Sequence, residues 1–542
     1  MIESDEIEIV APSTPSTPSA SASRTLARAG LIVSGAFLIS RLLGFVRQWI
    51  IINVFGAGLE LDQFFAAFRL PDLIFQLVAA GALASSVVPV VSGLLGHGET
   101  SRAWRVTSTI VNLLLGALVA LAILGFIFAP AIVRAITPGF EDPAWQEKTT
   151  ELTRIMLLSP IFLALGAIAS SILNAQGRFA ASAAAPVVYN LAIIGGALIL
   201  APGFGVTGLA ISVVAGSVGH LLVQLPNVRA IGYRYAPTID LSDVAARRAL
   251  ALMGPRTLGL GITQITFFVM TSLATTVAVG ALTAFTTAFT LLQIPLGLIG
   301  VPLGIVVLPS LSREMALGRT TEFAGLVSRA LRLILVAMLP LTGISLVLRQ
   351  DIVALLFGHG FDQAAIDLTT AAFGAFLLGL PAHALIGILA RTFYAQQDTR
   401  TPVIAAIVAV VINCSLAFVF VGPLGLAGLS LAIAIAAWIE TGLLVFWLLR
   451  RIPALPFSPI ARLGAKTLLV TAVGSGAAAL VASWLETAQG PDPGFVALFA
   501  RMAIATLVWA GVTVAAAAVL RIEELRSIVG LMVDVLRRPR RS

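Results

Sequence analysis

The feature that most limits what this chain can become is its succession of apolar runs, each about twenty residues or more and each stopped by glycine, proline or a cluster of charge. Wound as a helix, a run of that length matches the roughly 30 Å hydrocarbon core of a bilayer. The runs lie at about 30–55, 63–95, 105–133, 152–174, 183–201, 206–225, 250–279, 282–311, 325–348, 367–394, 402–422, 425–449, 463–485 and 495–520. They predict an all-α polytopic membrane protein with fourteen transmembrane helices. Composition agrees: of 542 residues, 58% are hydrophobic and only 11% charged, against about a quarter charged in a soluble domain. That excludes a water-soluble enzyme. The single cysteine, Cys414, excludes a disulfide framework, and His97, His220, His359 and His383 show no ligand spacing. No metal and no other cofactor is expected.

Charge between the runs sets the orientation, because Lys and Arg collect in short cytoplasmic loops. Counted from a cytoplasmic amino terminus, the even loops hold Arg102 and Arg105, Arg178, Arg229 and Arg248, Arg313 and Arg329, Arg391 and Arg400, and Arg450 and Lys466. The odd loops hold Glu60 and Asp62; Glu141, Asp142, Glu147 and Glu151 against Arg134 and Lys148; Asp351, Asp362 and Asp367 against Arg349; and Glu486 and Asp492. Both termini are therefore expected in the cytoplasm, as in a multi-pass plasma membrane protein. The net charge of +8 reports topology and implies no nucleic-acid partner. Residues 1–28, acidic and then Ser/Thr/Pro-rich, read as a disordered cytoplasmic tail and not as a signal sequence. Residues 521–542 read as a basic tail lying on anionic membrane lipids.

The chain also repeats itself. Val87-Val88-Pro89-Val90-Val91-Ser92 returns as Val307-Leu308-Pro309-Ser310-Leu311-Ser312, 220 positions later, and Gly205-Val206-Thr207-Gly208-Leu209 as Gly425-Leu426-Ala427-Gly428-Leu429 at the same offset. Duplication predicts an N-lobe of helices 1–6 over 29–228 and a C-lobe of helices 7–12 over 229–452, followed by two further helices over 453–520. Six helices is an even number, so the lobes enter the membrane in the same sense, related by a pseudo-twofold axis along the membrane normal. Transporters built this way bind cargo between the lobes and rock around it.

An arginine at the bilayer centre costs about 2.5–3.5 kcal/mol on insertion scales, so each needs a partner, a wet cavity or a route to the interface. Arg41 falls about 11 residues into the first helix, roughly 16 Å deep, and reads either as a cavity residue or as half of a buried pair. Arg47 lines a wide chamber or snorkels outward; Arg69 either faces the cavity or is neutralised by Asp72 at i+3. Arg256 starts the seventh helix, where snorkelling is equally open. Gln264, Gln293 and Asn190 serve as lining or as glue between helices, and Glu440 and His383 read as packing or hydration sites. Guanidinium groups without clustered carboxylates suit an anion, phosphate and diphosphate above all.

Ser40-Arg41-Leu42-Leu43-Gly44-Phe45-Val46-Arg47, Phe55-Gly56-Ala57-Gly58, Asp62-Gln63-Phe64-Phe65 and Phe68-Arg69-Leu70-Pro71-Asp72-Leu73 resemble the opening of the MurJ (MviN) lipid II flippases. Met253-Gly254-Pro255, Leu308-Pro309-Ser310-Leu311-Ser312 and Phe393-Tyr394 with Gln397-Asp398 extend the resemblance over nearly the whole chain. It implies the multidrug/oligosaccharidyl-lipid/polysaccharide exporter fold with a cationic central cavity. The implied activity is moving lipid II, the undecaprenyl-diphosphate-linked peptidoglycan precursor, from the inner to the outer leaflet. Arg41, Arg47, Asp62 and Arg69 match functionally important family positions, and Arg256 is a candidate to replace missing charge. Phe75–Gln76, Ala80 and Thr290 stand where the family commonly carries an arginine, an acid and an arginine. Those departures keep alternatives open: another polyprenyl-diphosphate glycan, a drug of the same superfamily's range, or a scaffold that binds the lipid without transporting it. A membrane phosphotransferase would need facing carboxylates for Mg²⁺, and the acids here are scattered. Because no Gly-rich phosphate loop ending in Gly-Lys-Ser/Thr occurs, the membrane potential or a coupling ion is expected to drive transport.

Overall fold

The computed structural model describes residues 39–77, 83–490 and 494–524; within these, the side chains of 83–88, 252–260 and 262–263 are not described. The tail at 1–28, Ala80, and the basic tail beyond 524 lie outside the described residues. Every regular element among them is helical. The first half contains α1 (39–55), α2 (Leu59–Phe75), α3 (Leu83–Gly96), α4 (Thr100–Ile136), α5 (Pro143–Met156), α6 (Ser159–Ala175), α7 (Phe179–Gly195), α8 (Ala201–Leu222) and α9 (Leu225–Ala230). The second contains α10 (Val244–Thr275), α11 (Ala281–Pro295), α12 (Val301–Ala316), α13 (Thr320–Val347), α14 (Arg349–Phe357), α15 (Gln363–Ala395) and α16 (Arg400–Arg451); α17 (Phe457–Gln489) and α18 (Phe495–Val519) close the chain. Nine helical stretches among the described residues are long and apolar enough to cross a bilayer.

Two of those stretches, Phe179–Ala230 and Arg400–Arg451, run for 52 residues each. As straight helices they would measure about 78 Å, far beyond one hydrocarbon core. Each is instead a hairpin that turns at a glycine with positive φ, Gly205 (φ 54°, ψ −142°) and Gly425 (φ 54°, ψ −134°). The arms come so close beyond the turn that a Cβ on Gly208 would lie 2.9 Å from Leu200 and one on Gly428 2.4 Å from the Phe420 carbonyl oxygen. Only glycine meets both demands.

The repeat inferred from short motifs is written into the backbone. Left-handed residues recur 220 positions apart at Gly98 and Gly318, at Gly177 and Gln397, and at Gly205 and Gly425. The π-helical turn Leu296–Gly300 between α11 and α12 has its counterpart at 76–77, also 220 positions earlier, where the first-half helix widens in the same way. A π-turn interrupts regular hydrogen bonding and survives mostly where function requires it.

Acidic caps start three helices. Asp142 accepts from Ala144 N ahead of Pro143 on α5, Asp243 from Ala245 N on α10 and Asp362 from Ala365 N on α15, each at 2.8 Å. Asp243 also takes Arg102 Nε at 2.7 Å, and that guanidinium holds its carboxyl below the usual carboxylate range. The linker between the halves is strapped to α4, where the Asn112 amide donates to the carbonyls of Ala236 and Thr238 and Tyr233 packs edge-on to Trp104. Ala246 and Ala249 of α10 are buried with the first half, whereas Met270 and Leu273 are buried in the core that continues through the second. Residue 229 is therefore no break in packing, and α10 divides its contacts between the halves.

Helices α17 and α18 pack as a pair against α13 and α14. Gly343 admits Thr471 and Ser475, and Gly474 admits Thr513, at distances a Cβ would forbid. At the far end a buried salt bridge joins Arg501 of α18 to Asp351 of α14, with Nε to Oδ2 at 3.1 Å and a second bond from Nη2 to Oδ1. Removing one partner of such a pair leaves a buried charge uncompensated, at a cost of about 3–5 kcal/mol. Arg501→Ala should lower the thermal midpoint of the purified protein in detergent markedly. The double change Arg501→Leu/Asp351→Leu should recover most of the loss, which thermal unfolding of both variants checks.

Candidate functional site

Where α2 meets α10 and α11 there is a cavity of about 360 Å³ between the two halves, lined by Arg69, Asp72, Gln76, Gln264, Phe267, Phe285, Thr286, Phe289 and Thr290. Arg69 stands ten residues into α2, about 15 Å along it. Its Nε donates to the Thr271 hydroxyl of α10 at 2.8 Å, and its guanidinium lies 5.4 Å from the centre of the Phe267 ring. Both partners belong to the second half, so this side chain crosses the interface. Asp72 does not pair with it as the i+3 reading allowed: no ion pair joins the two, and Asp72 Oδ2 instead accepts from Gln264 Nε2 at 3.4 Å. The aromatic wall continues through Phe267, Phe289 and Phe376, with ring centres 5.4 and 5.6 Å apart. The Thr286 hydroxyl is buried without a protein partner among the described residues, which leaves a polar group available to a ligand.

Arg69 is the arginine among the chamber's lining residues; the other candidates stand elsewhere. Arg41 rests against the π-helical turn of the second half, where a Cβ on Gly297 would come within 2.7 Å of its Nη1. Glycine is what makes room for the guanidinium. Arg47, half-buried, stays in its own half, its guanidinium 6.0 Å from the centre of the Tyr189 ring on α7. Arg256 falls within α10, but its side chain is outside the described residues. Of the uncharged polar residues, Gln264 lines the chamber, whereas Asn190 donates to the Pro186 carbonyl of its own helix at 2.9 Å.

Asp62 is not part of the chamber wall. It is fully buried, and it accepts Gly280 N at 2.7 Å, Thr283 N at 2.8 Å and the Thr283 hydroxyl at 2.7 Å. A first-half carboxylate thus caps the second-half helix α11, satisfying its free amides and meeting the positive end of its dipole. Around it the halves press together at the end carrying the acidic loops. Gly139 N donates to Thr275 Oγ1 at 3.3 Å and Trp49 Nε1 to the Leu356 carbonyl at 2.6 Å. A Cβ on Gly280, at φ +84°, would lie 2.5 Å from the Ala57 carbonyl oxygen. This end is sealed.

Sequence reasoning singled out Arg69, Gln264, Gln76 and Thr290 but not Thr271, Thr286 or the phenylalanines. Threonine and phenylalanine in an apolar helix give no signal of which face meets a cavity.

Two duplicated helical halves, sealed at one end around a polar cavity, define a membrane transporter of the exporter type. The fold is that of a multidrug resistance MATE family transporter of the MOP superfamily in its inward-facing conformation, with a TM-score of 0.63 at 18% identity over 79% of this chain and 98% of that one. More similar is a structure of lipid II flippase MurJ in an inward closed conformation, with a TM-score of 0.75 at 23% identity over 90% of this chain and 99% of that one. The family model described as lipid II flippase MurJ matches residues 51–492. The lipid II flippase MurJ of Burkholderia cenocepacia is 34% identical over 439 residues, 79% of this chain and 84% of that protein. The probable lipid II flippase MurJ of Rhizobium tropici is 31% identical, over 79% and 81%. The chain belongs to the MurJ family, a family of membrane transporters and not of enzymes, and is a multi-pass protein of the bacterial inner membrane.

The Asp62 cap has a measurable signature. Losing a buried acceptor costs about 1–3 kcal/mol per orphaned donor, so Asp62→Ala should speed hydrogen exchange at the Gly280 and Thr283 amides by about tenfold or more. Unchanged protection of those two amides would show that something other than Asp62 holds the seal.

Proposed function

We propose that this protein is a lipid II flippase, carrying undecaprenyl-diphosphate-linked peptidoglycan precursor from the inner to the outer leaflet by alternating access. The observation that carries the reading is Arg69, a guanidinium reaching from one half to the other inside a polar chamber, with Arg41 against the π-turn of the same interface. A diphosphate offers oxygens that a planar guanidinium binds two at a time. Binding there would compete for the bonds that now tie Arg69 to Thr271 and so loosen one half from the other.

Fourteen crossings with both termini in the cytoplasm place the acidic, sealed end outside and the basic loops inside. Cargo then enters from the inner leaflet. At about 360 Å³ the chamber is at the lower end of small-molecule sites, so the glycan and peptide need the halves to part while the polyprenyl chain remains in lipid beside α17 and α18. Outward release requires the Asp62 cap on α11 to open. A negative charge moving across the bilayer exchanges about 2.3 kcal/mol per 100 mV with the membrane potential, which supplies direction without a nucleotide; a coupling ion would serve the same end. Arg41, Arg47, Arg69 and Arg256 are the residues proposed to meet the diphosphate.

One observation favours a second reading of the cargo. Thr290 and Gln76 line the chamber where the family resemblance leads one to expect more positive charge. A less cationic wall suits a different polyprenyl-diphosphate glycan. Cells depleted of their own flippase separate the two, since a carrier of another glycan leaves wall synthesis unrescued. In rescued cells Arg41→Ala and Arg69→Ala should each cut transport about 10- to 100-fold, the worth of one charge-assisted hydrogen bond. Normal growth and normal outer-leaflet precursor with both variants would remove the proposed roles.

A further inference from the structure

Away from the chamber, α4 and α5 enclose a groove of about 780 Å³ at the acidic end of the first half, lined by Phe126, Pro130, Arg134, Glu147, Glu151 and Arg154 among others. Two helical stripes face each other across it. Phe126, Pro130 and Arg134 follow one another at i, i+4 and i+8 on α4, and Glu147, Glu151 and Arg154 at i, i+4 and i+7 on α5, so each stripe stays on one face of its helix. The α4 stripe grades from apolar to charged, and the α5 stripe is charged throughout.

The charges do not cancel across the groove. No ion pair joins either arginine to either glutamate among the described residues; Glu151 is held on its own helix by Lys148 at 2.9 Å. Arg154 uses its Nε to donate to the Phe126 carbonyl at 3.2 Å. That carbonyl lacks its usual partner because the residue four positions on is Pro130, which has no N–H. The guanidinium is thereby fixed over the Phe126 ring, 4.7 Å from its centre, and its two Nη groups remain for a ligand. Beside the groove, Ile123, Leu124, Ile127 and Phe128 are each at least half exposed, a band that acyl chains cover in a membrane.

We propose that this groove binds the headgroup of an ethanolamine phospholipid from the leaflet at the acidic end. Its phosphate lies between Arg134 and Arg154, its ammonium donates to Glu147 and Glu151, and its chains follow the apolar band of α4. The pairing selects a zwitterion whose cation carries N–H donors. A phosphatidylglycerol headgroup leaves both carboxylates without a partner, and a choline headgroup presents methyl groups in place of the donors.

The test is lipid binding to the purified full-length protein by native mass spectrometry, with dioleoyl phosphatidylethanolamine, phosphatidylcholine and phosphatidylglycerol added in turn. Ethanolamine lipid should be retained about tenfold more strongly than choline lipid, the difference made by one charge-assisted hydrogen bond. Glu147→Gln/Glu151→Gln should erase that preference, and Arg134→Gln should weaken ethanolamine and choline lipids alike. Thermal unfolding confirms that the variants remain folded, since neither glutamate nor Arg134 is buried. Equal retention of the three lipids, stronger retention of phosphatidylglycerol, or a preference that survives the double glutamine change would each overturn the proposal. None of these readouts depends on which glycolipid the chamber carries.

Discussion

A carboxylate shut away from water must have every oxygen answered, and Asp62 has its oxygens answered by the other half of the molecule. Three donors from the start of α11 converge on it. Such a bond has two properties that a hydrophobic contact lacks. It is directional, so it sets how α2 and α11 meet. It is also expensive to leave half-made.

Duplication explains how a chain with so few polar residues builds a site. Each half repeats the same backbone departures, a π-widened helix and a glycine-hinged hairpin. Those departures free backbone groups that a regular helix would consume, and in hydrocarbon freed groups survive only where protein or a cavity receives them. The halves differ in side chains and also in backbone, the first-half π-turn Gly196–Leu200 answering to regular helix at 416–420 in the second. Thr290 and Gln76 now line the chamber, while the Phe126 carbonyl left open by Pro130 is answered by Arg154 and the equivalent Leu346 carbonyl by Arg349 at 2.6 Å.

Much of the architecture was legible in the linear text, and the charged residues show where legibility stopped. Apolar runs predicted helices of bilayer length, and motifs 220 positions apart predicted the repeat that the backbone carries. Arg69 was legible as a charge in need of a partner, read as either facing the cavity or neutralised by Asp72, its neighbour on the helix. The bond runs to Thr271, across the interface. Asp62 was legible as an acid at a family position that matters, and in the structure it caps α11 from the other half. Asp351 and Arg501 stand 150 positions apart in the chain, and nothing in their spacing announces a buried pair.

The sequence by itself determined that the chain enters a membrane, which stretches wind into helices, and that one helical plan is used twice. Those properties follow from transfer of side chains into hydrocarbon and from local backbone preference, both of which are summed along the chain. Only the tertiary structure decided which charge meets which, because partners are chosen by how helices far apart in sequence cross and by the few ångströms that Gly297, Gly280 and Gly474 leave between them. Hydrogen bonds and guanidinium contacts act over about 3 Å, a distance that only packing sets.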